Sequence, residues 1–377
     1  MTKQRIAIML PKLSRYGGVE GFAWRLAEEL AKKYAVDFIC SRQNTQAPEG
    51  VRVVCIGRPC MGKSIKILWF ALGAEWVRRR NNYDLSIGLG NTVYQDILRI
   101  SGGPTKIFWK HSKKAYPKGF SRTWKMIRRR LTPANRLVLL IERLQVRHTR
   151  TLIANSHLVR TWLFEAFPQL KKKTVRIIYN KADLKKFSPC SAAEKNAIRK
   201  HLHLPDKVII ATAATNFILK GIRPLIETLP FLPENHILLI AGGRNAARYN
   251  RIARRLGITE RVYFMGKVDD MPSFYRASDL FILLTFYDAC SNAILEALAT
   301  GLPVISTDTN GSSKFLAPQN ILNADSRPQD IAATIQRAMS NGQQPSIYLP
   351  LDAEAGIPPY TKLVANLLRM KQQKITE

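Results

Sequence analysis

Two carboxylates and a helix start lie close together in the run Phe286–Thr307, FYDACSNAILEALATGLPVIST. Asp288 falls in what reads as a loop, Asn292 has a side chain suited to an N-cap, and Glu296 follows on the first turns of the helix so begun. Gly301 is placed to end that helix and Pro303 to keep it from resuming. LPVIS is a short apolar run that fits a buried parallel strand. A helix N-terminus carries partial positive charge. Carboxylates converging near one suit a ligand that is hydroxyl-rich and anionic at once, as a nucleotide sugar is. Read alone, the same letters also fit an amphipathic helix with a solvated glutamate.

Other positions could hold an anion. Gly17 and Gly18 follow the first predicted strand, where the missing Cβ lets backbone N–H groups approach a phosphate. Gly242 and Gly243 end a later strand and fit either close approach of a sugar-phosphate or a plain tight turn. Gly57-Arg-Pro-Cys-Met-Gly62-Lys63-Ser64 satisfies the P-loop pattern letter by letter, after one apolar strand and before a helical run. A P-loop enzyme also needs a carboxylate after an apolar strand to hold Mg²⁺, and no such strand is clear in the following hundred or so residues. No histidine or cysteine cluster has metal-ligand spacing. The five cysteines (40, 55, 60, 190 and 290) are scattered, as in a protein of a reducing compartment without a structural metal.

The elements that must position these residues alternate along the chain. Strands are predicted at 5–13, VDFICS, VRVVCIG, LSIGLG, QDILRIS, TLIANS and VRIIY, with helices from about Gly21 to Lys33, through KILWFALGAEWVRRR, over 133–149 and through SHLVRTWLFEAF. After the polar stretch SPCSAAEKNAIRKHLHLPDK, read as connecting helix and linker, a second alternating set begins at Val208, with strands VIIATAAT, HILLIAGG, VYFMG, DLFILLT and LPVISTD. Such alternation predicts parallel sheets covered by helices. The tail from Pro358 to Lys374 reads as helix.

A chain of 377 residues has room for two or three domains. No apolar run is long enough for a transmembrane helix, and the N-terminal apolar stretch is too short for a signal peptide. The formal net charge of +32, from 59 basic and 27 acidic residues, favours anionic partners. Between Lys106 and Arg150 stand fourteen Lys and Arg and a single acid, Glu142. There Phe120, Trp124, Ile127 and Leu131 recur at helical spacing between Arg122, Lys125, Arg128, Arg129 and Arg130, a pattern suited to an anionic membrane surface. The same stripe could instead pack on the core and leave its basic face in water. A non-catalytic polyanion or membrane binder and a P-loop kinase or ATPase therefore stay open on composition and motifs alone.

The carboxylate-helix segment, the Gly-Gly-x-Glu ending at Glu20, and the junction VRIIYNKADLKKFSP, with Asn180, Asp183, Phe187 and Pro189, together resemble the family 4 glycosyltransferases. The resemblance covers nearly the whole chain and is strongest from Val175 to Ser313. It implies an α/β fold of two Rossmann-like domains (the GT-B fold) facing across a cleft: residues 1–180 on the acceptor side, 181–357 for the nucleotide sugar, and a helix over 358–377 crossing back to the first domain. It implies a retaining, metal-independent hexosyltransferase without a cofactor. Within the family the chain is similar to lipopolysaccharide core α-glucosyltransferases. On that basis the donor is expected to be a UDP-sugar and the acceptor an anionic glycolipid. Residues 106–150 would dock on the cytoplasmic face of the inner membrane, and no nucleic acid is expected.

The resemblance assigns roles to single residues. Glu296 would hold the donor ribose. Asp288, in place of the family's first glutamate, would contact the transferred sugar. Lys220 would take the diphosphate alone, because Leu219 stands where the family has an arginine; Arg223 or Arg244 is a candidate substitute. Gly266, Lys267 and Val268 would lie beneath the base. Gly17, Gly18, Glu20, Gly242, Ser291 and Asn292 would complete the donor contacts. His111, after Gly102-Gly103, is the nearest ionisable group able to act on an acceptor hydroxyl.

Overall fold

The structure is a computed structural model that describes residues 3–243, 246–340 and 354–376. The chain divides into two compact units: Met1–Trp109, Gly119–Tyr179 and Leu351–Glu377 form one, Lys110–Lys118 and Asn180–Pro350 the other.

The first unit begins with β1 (Arg5–Met9), β2 (Lys12–Leu13), α1 (Gly18–Ala31), β3 (Ala35–Cys40), β4 (Arg42–Gln43), β5 (Val51–Cys55) and α2 (Lys63–Arg80). It continues through β6 (Leu85–Gly88), β7 (Ile97–Ile100), α3 (Thr105–Ser112, whose residues from Lys110 on are counted with the second unit), α4 (Phe120–Leu131), α5 (Pro133–His148), β8 (Thr151–Ala154), α6 (His157–Ala166) and β9 (Val175–Tyr179). The second unit contains α7 (Ala192–His201), β10 (Val208–Ala213), α8 (Ile222–Thr228), β11 (His236–Ala241), α9 (Ala246–Arg255), β12 (Val262–Gly266) and α10 (Met271–Arg276). After these come β13 (Leu280–Leu283), α11 (Asn292–Ala299), β14 (Val304–Thr307), β15 (Ile321–Leu322) and α12 (Pro328–Ser340). β16 (Glu354–Ala355) and α13 (Pro358–Thr376) belong to the first unit again.

Both main sheets are parallel. The first runs β16-β9-β8-β7-β6-β1-β3-β5 and the second β12-β11-β10-β13-β14-β15. Strands covered on both faces read as near-continuous apolar runs, as RIAIM, HILLIA and LFIL do. In the first unit Ile6, Ile8, Leu26 and Phe38 are fully buried with Tyr360 of α13. Tyr360 meets Phe22 edge-on at 5.0 Å and accepts a 2.9 Å hydrogen bond from buried Arg99, which fastens α13 to β7. In the second unit Ile210, Leu238, Ile282 and Ile305 pack under α8 and α12.

Two local expectations are corrected, and one alternative is set aside. The first strand ends at Met9, because Pro11 cannot donate to a ladder, and Lys12–Leu13 pairs separately with Arg42–Gln43. α1 starts at Gly18 rather than near Gly21, with Gly17 (φ 107°) as its N-cap. The apolar stripe of α4 does not pack on the core. Phe120 (83% exposed), Trp124 (58%), Ile127 and Leu131 face solvent, while Arg122, Lys125 and Arg129 are half-buried on the inner side.

Candidate functional site

Strand order in the second sheet reverses between β10 and β13, which pair through Ile210–Leu280 and Ala211–Phe281. At such a switch point the loops leaving the two strands part to opposite faces and open a crevice at the carboxyl ends. The loop after β10 carries Lys220, and the loop after β13 carries Asp288. The backbone joins them: Phe286 N–H donates to Leu219 O at 2.9 Å, and Thr285 Oγ1 donates to the same carbonyl at 3.2 Å. Lys220 Nζ and Asp288 Oδ2 form an ion pair whose side chains are 20% and 16% exposed. Two charges far apart in sequence and largely withdrawn from water are thus set against each other.

Hydroxyl groups brace the Asp288 loop from below. Thr307 and Thr309 donate to Thr285 O at 2.6 and 2.7 Å, and Ser312 Oγ donates to Ser291 O at 3.0 Å. Asp288 N–H donates to Thr309 O at 3.0 Å, and its own carbonyl accepts from Gly311 N–H at 2.9 Å. Buried groups paired this fully hold one backbone course.

α11 begins one residue away from the expected register. Ser291 is the N-cap, without a side-chain cap bond, and Asn292 is the first helical residue. Asn292 Oδ1 is engaged instead by Asn180 Nδ2 at 2.7 Å, which ties the helix start to the chain after β9. The helix ends as expected at Gly301 (φ 81°): Gly301 N–H bonds Leu298 O at 3.0 Å and Leu302 N–H bonds Ala297 O at 3.2 Å, a Schellman closure. Glu296 is half-buried and accepts from Tyr275 Oη at 3.1 Å. Tyr275 is fully buried among Phe187, Phe274 and Phe281. Burial, reinforced by the Glu296 charge, pushes its phenol well above the ordinary value, so it stays a hydrogen-bond donor. Glu296 is therefore held by a fixed donor rather than left to solvent.

The remaining candidates fall in different places. His111, near the end of α3, lies in the Lys110–Lys118 segment of the second unit, its ring 6.3 Å from that of Tyr287, the neighbour of Asp288. Gly242 (φ 84°) ends β11, where a Cβ would come 2.5 Å from Ala214 O. Gly266 (φ 61°) ends β12, Val268 is half-buried, and Lys267 is exposed in an ion pair with Asp269. Gly17, Gly18 and Glu20 lie in the first unit, with the Glu20 carboxylate folded over Gly17. Arg223 is exposed and bonds Glu227 at 2.8 Å along α8, and Arg244 lies outside the described residues. The P-loop-like run Gly57–Ser64 leaves β5, the edge strand, rather than either strand of the β1/β6 reversal where the first sheet would take a ligand.

Sequence reasoning missed Tyr275 and the hydroxyl shelf. The signals were there: a Phe-Tyr pair in the helix before β13, and a run of small polar residues, STDTNGSS, where a buried strand ends.

Two family models match the chain, one described as "Glycosyltransferase Family 4" over residues 16–186 and one as "Glycosyl transferases group 1" over residues 206–341. Mannosylfructose-phosphate synthase of Agrobacterium fabrum is 34% identical over 158 residues, 38% of this chain and 34% of that protein. Lipopolysaccharide glucosyltransferase WaaG of Escherichia coli is 28% identical over 131 residues, 34% of each chain. The chain thus matches about a third of the length of these curated relatives. Among solved structures, that of WaaG, a glycosyltransferase involved in lipopolysaccharide biosynthesis, superposes with a TM-score of 0.73 at 18% identity over 89% of this chain and 90% of that one. Anabaena HepE in complex with UDP-glucose gives a TM-score of 0.67 at 17% identity over 91% and 92%. With both matched segments on one chain and the two Rossmann-like units those structures share, the protein belongs to the family 4 glycosyltransferases and has the GT-B fold.

Proposed function

We propose that the protein transfers a hexose, with retention, from a UDP-sugar to a hydroxyl of a membrane-held anionic glycan of the lipopolysaccharide core type. The observation that carries this reading is the Lys220–Asp288 ion pair at the switch point of the second sheet. Without donor, each charge satisfies the other. The donor diphosphate, with more negative charge, takes Lys220 over, and the released Asp288 carboxylate accepts from hydroxyls of the sugar. Tyr275 keeps Glu296 aimed at the ribose hydroxyls. The N-terminus of α11, where the Ser291 side chain makes no cap bond, would add positive potential on the donor side.

In the reaction the bond from the anomeric carbon to the diphosphate oxygen breaks, and a bond to the acceptor oxygen forms on the same face. The acceptor proton passes to the departing diphosphate. Charge builds on that leaving group, and Lys220 stabilises it where other enzymes use a metal ion. Leu219 contributes no charge here, so Lys220 and backbone N–H groups carry this role. In this reading His111, whose ring lies 6.3 Å from that of Tyr287, would orient the acceptor hydroxyl.

The acceptor's membrane home is supported by α4, which points its aromatic stripe away from the protein and is studded with arginine. No helix among the described residues is long and apolar enough to cross a membrane, and the proposed association is peripheral, on the cytoplasmic face.

Thermal denaturation with a panel of nucleotide sugars tests this. One UDP-sugar at ~100 times its Kd should stabilise the protein by about 2.7 kcal/mol, and Glu296→Ala should abolish the effect. Stabilisation by ATP and by no nucleotide sugar would overturn the proposal.

A further inference from the structure

The helix that follows the P-loop-like run is apolar on two opposite faces. Ile67, Phe70, Ala71, Ala74 and Val77 of α2 are buried. Ile65, Leu68, Trp69, Leu72 and Trp76 lie at i, i+3, i+4, i+7 and i+11 on the far side, and all are exposed, Leu72 and Trp76 at 60%. A helix with one core face normally turns charge to water on the other. Here the outer face carries two tryptophans instead, and cations stand at its ends: Lys63 and Lys66 at the start, Arg79 and Arg80 at the finish. The Arg80 guanidinium lies 5.2 Å over the Trp76 ring. Its aliphatic stem can follow the apolar surface while its head stays with water or phosphate.

We infer that the outer face of α2 is a second bilayer-contacting surface, working with α4 to seat the first unit on an anionic membrane. The inference rests on the membrane-held acceptor proposed above and extends the docking region well beyond residues 106–150. Both helices pack on the same neighbour. α2 meets α5 through Ile67 and Ala71 against Ala134 and Ile141, and α4 is tied to α5 by Asn135 Nδ2 donating to Arg129 O at 2.7 Å. Each of the two turns an aromatic-bearing apolar stripe outward.

A lipid surface is the occupant that fits the chemistry. Tryptophan, with an apolar body and one N–H, is suited to the interfacial zone, and flanking Lys and Arg suit acidic headgroups. A second copy of this chain fits poorly. Two identical faces meeting about a two-fold axis would bring their cationic ends together on molecules that each carry +32. The run Gly57–Ser64 gains a role in this picture. It delivers exposed Met61 to the start of the stripe, and Trp69 Nε1 donates to Ile56 O at 3.1 Å just before it.

Co-sedimentation with vesicles of phosphatidylcholine and phosphatidylglycerol, against phosphatidylcholine alone, reads the partition coefficient. Wild type should prefer the anionic vesicles. Leu72→Gln/Trp76→Gln should lose about tenfold or more, with an unchanged melting temperature and a residual binding that salt removes, because only the electrostatic part is left. Leu72→Gln alone should shift the same way and serves if the double variant folds poorly. Phe120→Ser/Trp124→Gln is the arm for α4. If wild type ignores both vesicles, the membrane reading itself fails and this inference with it. If the α4 variant loses binding while both α2 variants partition like wild type, the α2 inference alone is overturned. It is equally overturned if the α2 variants only convert a dimer to a monomer in sedimentation velocity, which would make this face a contact between copies.

Discussion

At φ 64°, Gly221 turns the Lys220 loop back toward β13, and a Cβ on it would fall 2.0 Å from the Leu284 carbonyl oxygen. Both the left-handed backbone and the contact require glycine. Gly221→Ala should therefore lower stability by more than ~1 kcal/mol in urea denaturation and, by shifting the neighbouring lysine, weaken the response to nucleotide sugar. Residues of this kind were partly legible in the sequence. Glu296 and the Gly301 stop could be found because helix spacing and a C-terminal glycine are local signals. The partnership of Lys220 with Asp288 could not, since a loop in one βα unit meets a loop in another only once strand order is known. Asn292 was misplaced as the cap because Ser291 and Asn292 are both good cap residues, and the Asn180 contact that draws Asn292 into the helix is made across the fold.

Among the elements, α7 shows how the second unit is fastened together. Its Lys195 and Arg199 both reach Asp279 at 2.6 Å, and Asp279 also accepts from Ile209 N–H at the start of β10 at 2.7 Å. Burial works against the Asp279 charge, but the Ile209 N–H and the two cations outweigh it and hold the carboxyl below its ordinary value of 3.8. A carboxyl with a depressed folded-state pKa stabilises fully above the unfolded value, and that stabilisation is lost as pH falls through the folded one. Asp279→Asn should thus be destabilising at neutral pH, with the cost shrinking in strong acid, where the wild-type group is protonated too. Urea titrations at several pH values would show the two stabilities converging below pH 3.8. Strands and helices at this scale were largely readable, because buried parallel strands are unbroken apolar runs. The orientation of helices was less so. α2 carries apolar residues on both sides and so gives no single-face periodicity, and the outward stripe of α4 has the same spacing as a core-facing one.

Across the whole molecule, charge and fold divide the work. The net charge of +32 favours anionic partners, and the parallel sheet of the second unit, reversing between β10 and β13, sets two opposite charges where the proposed donor would split them. The two matched segments extend over both units, in keeping with a glycosyltransferase of the GT-B fold. The most direct measurement is a crystal structure after soaking with UDP-glucose. The account predicts the diphosphate on Lys220 Nζ, the Lys220–Asp288 pair opened, sugar hydroxyls on Asp288 and the ribose on Glu296. A nucleotide bound instead at Gly57–Ser64, or a sugar nucleotide seated with that ion pair intact and Glu296 turned away, would contradict it.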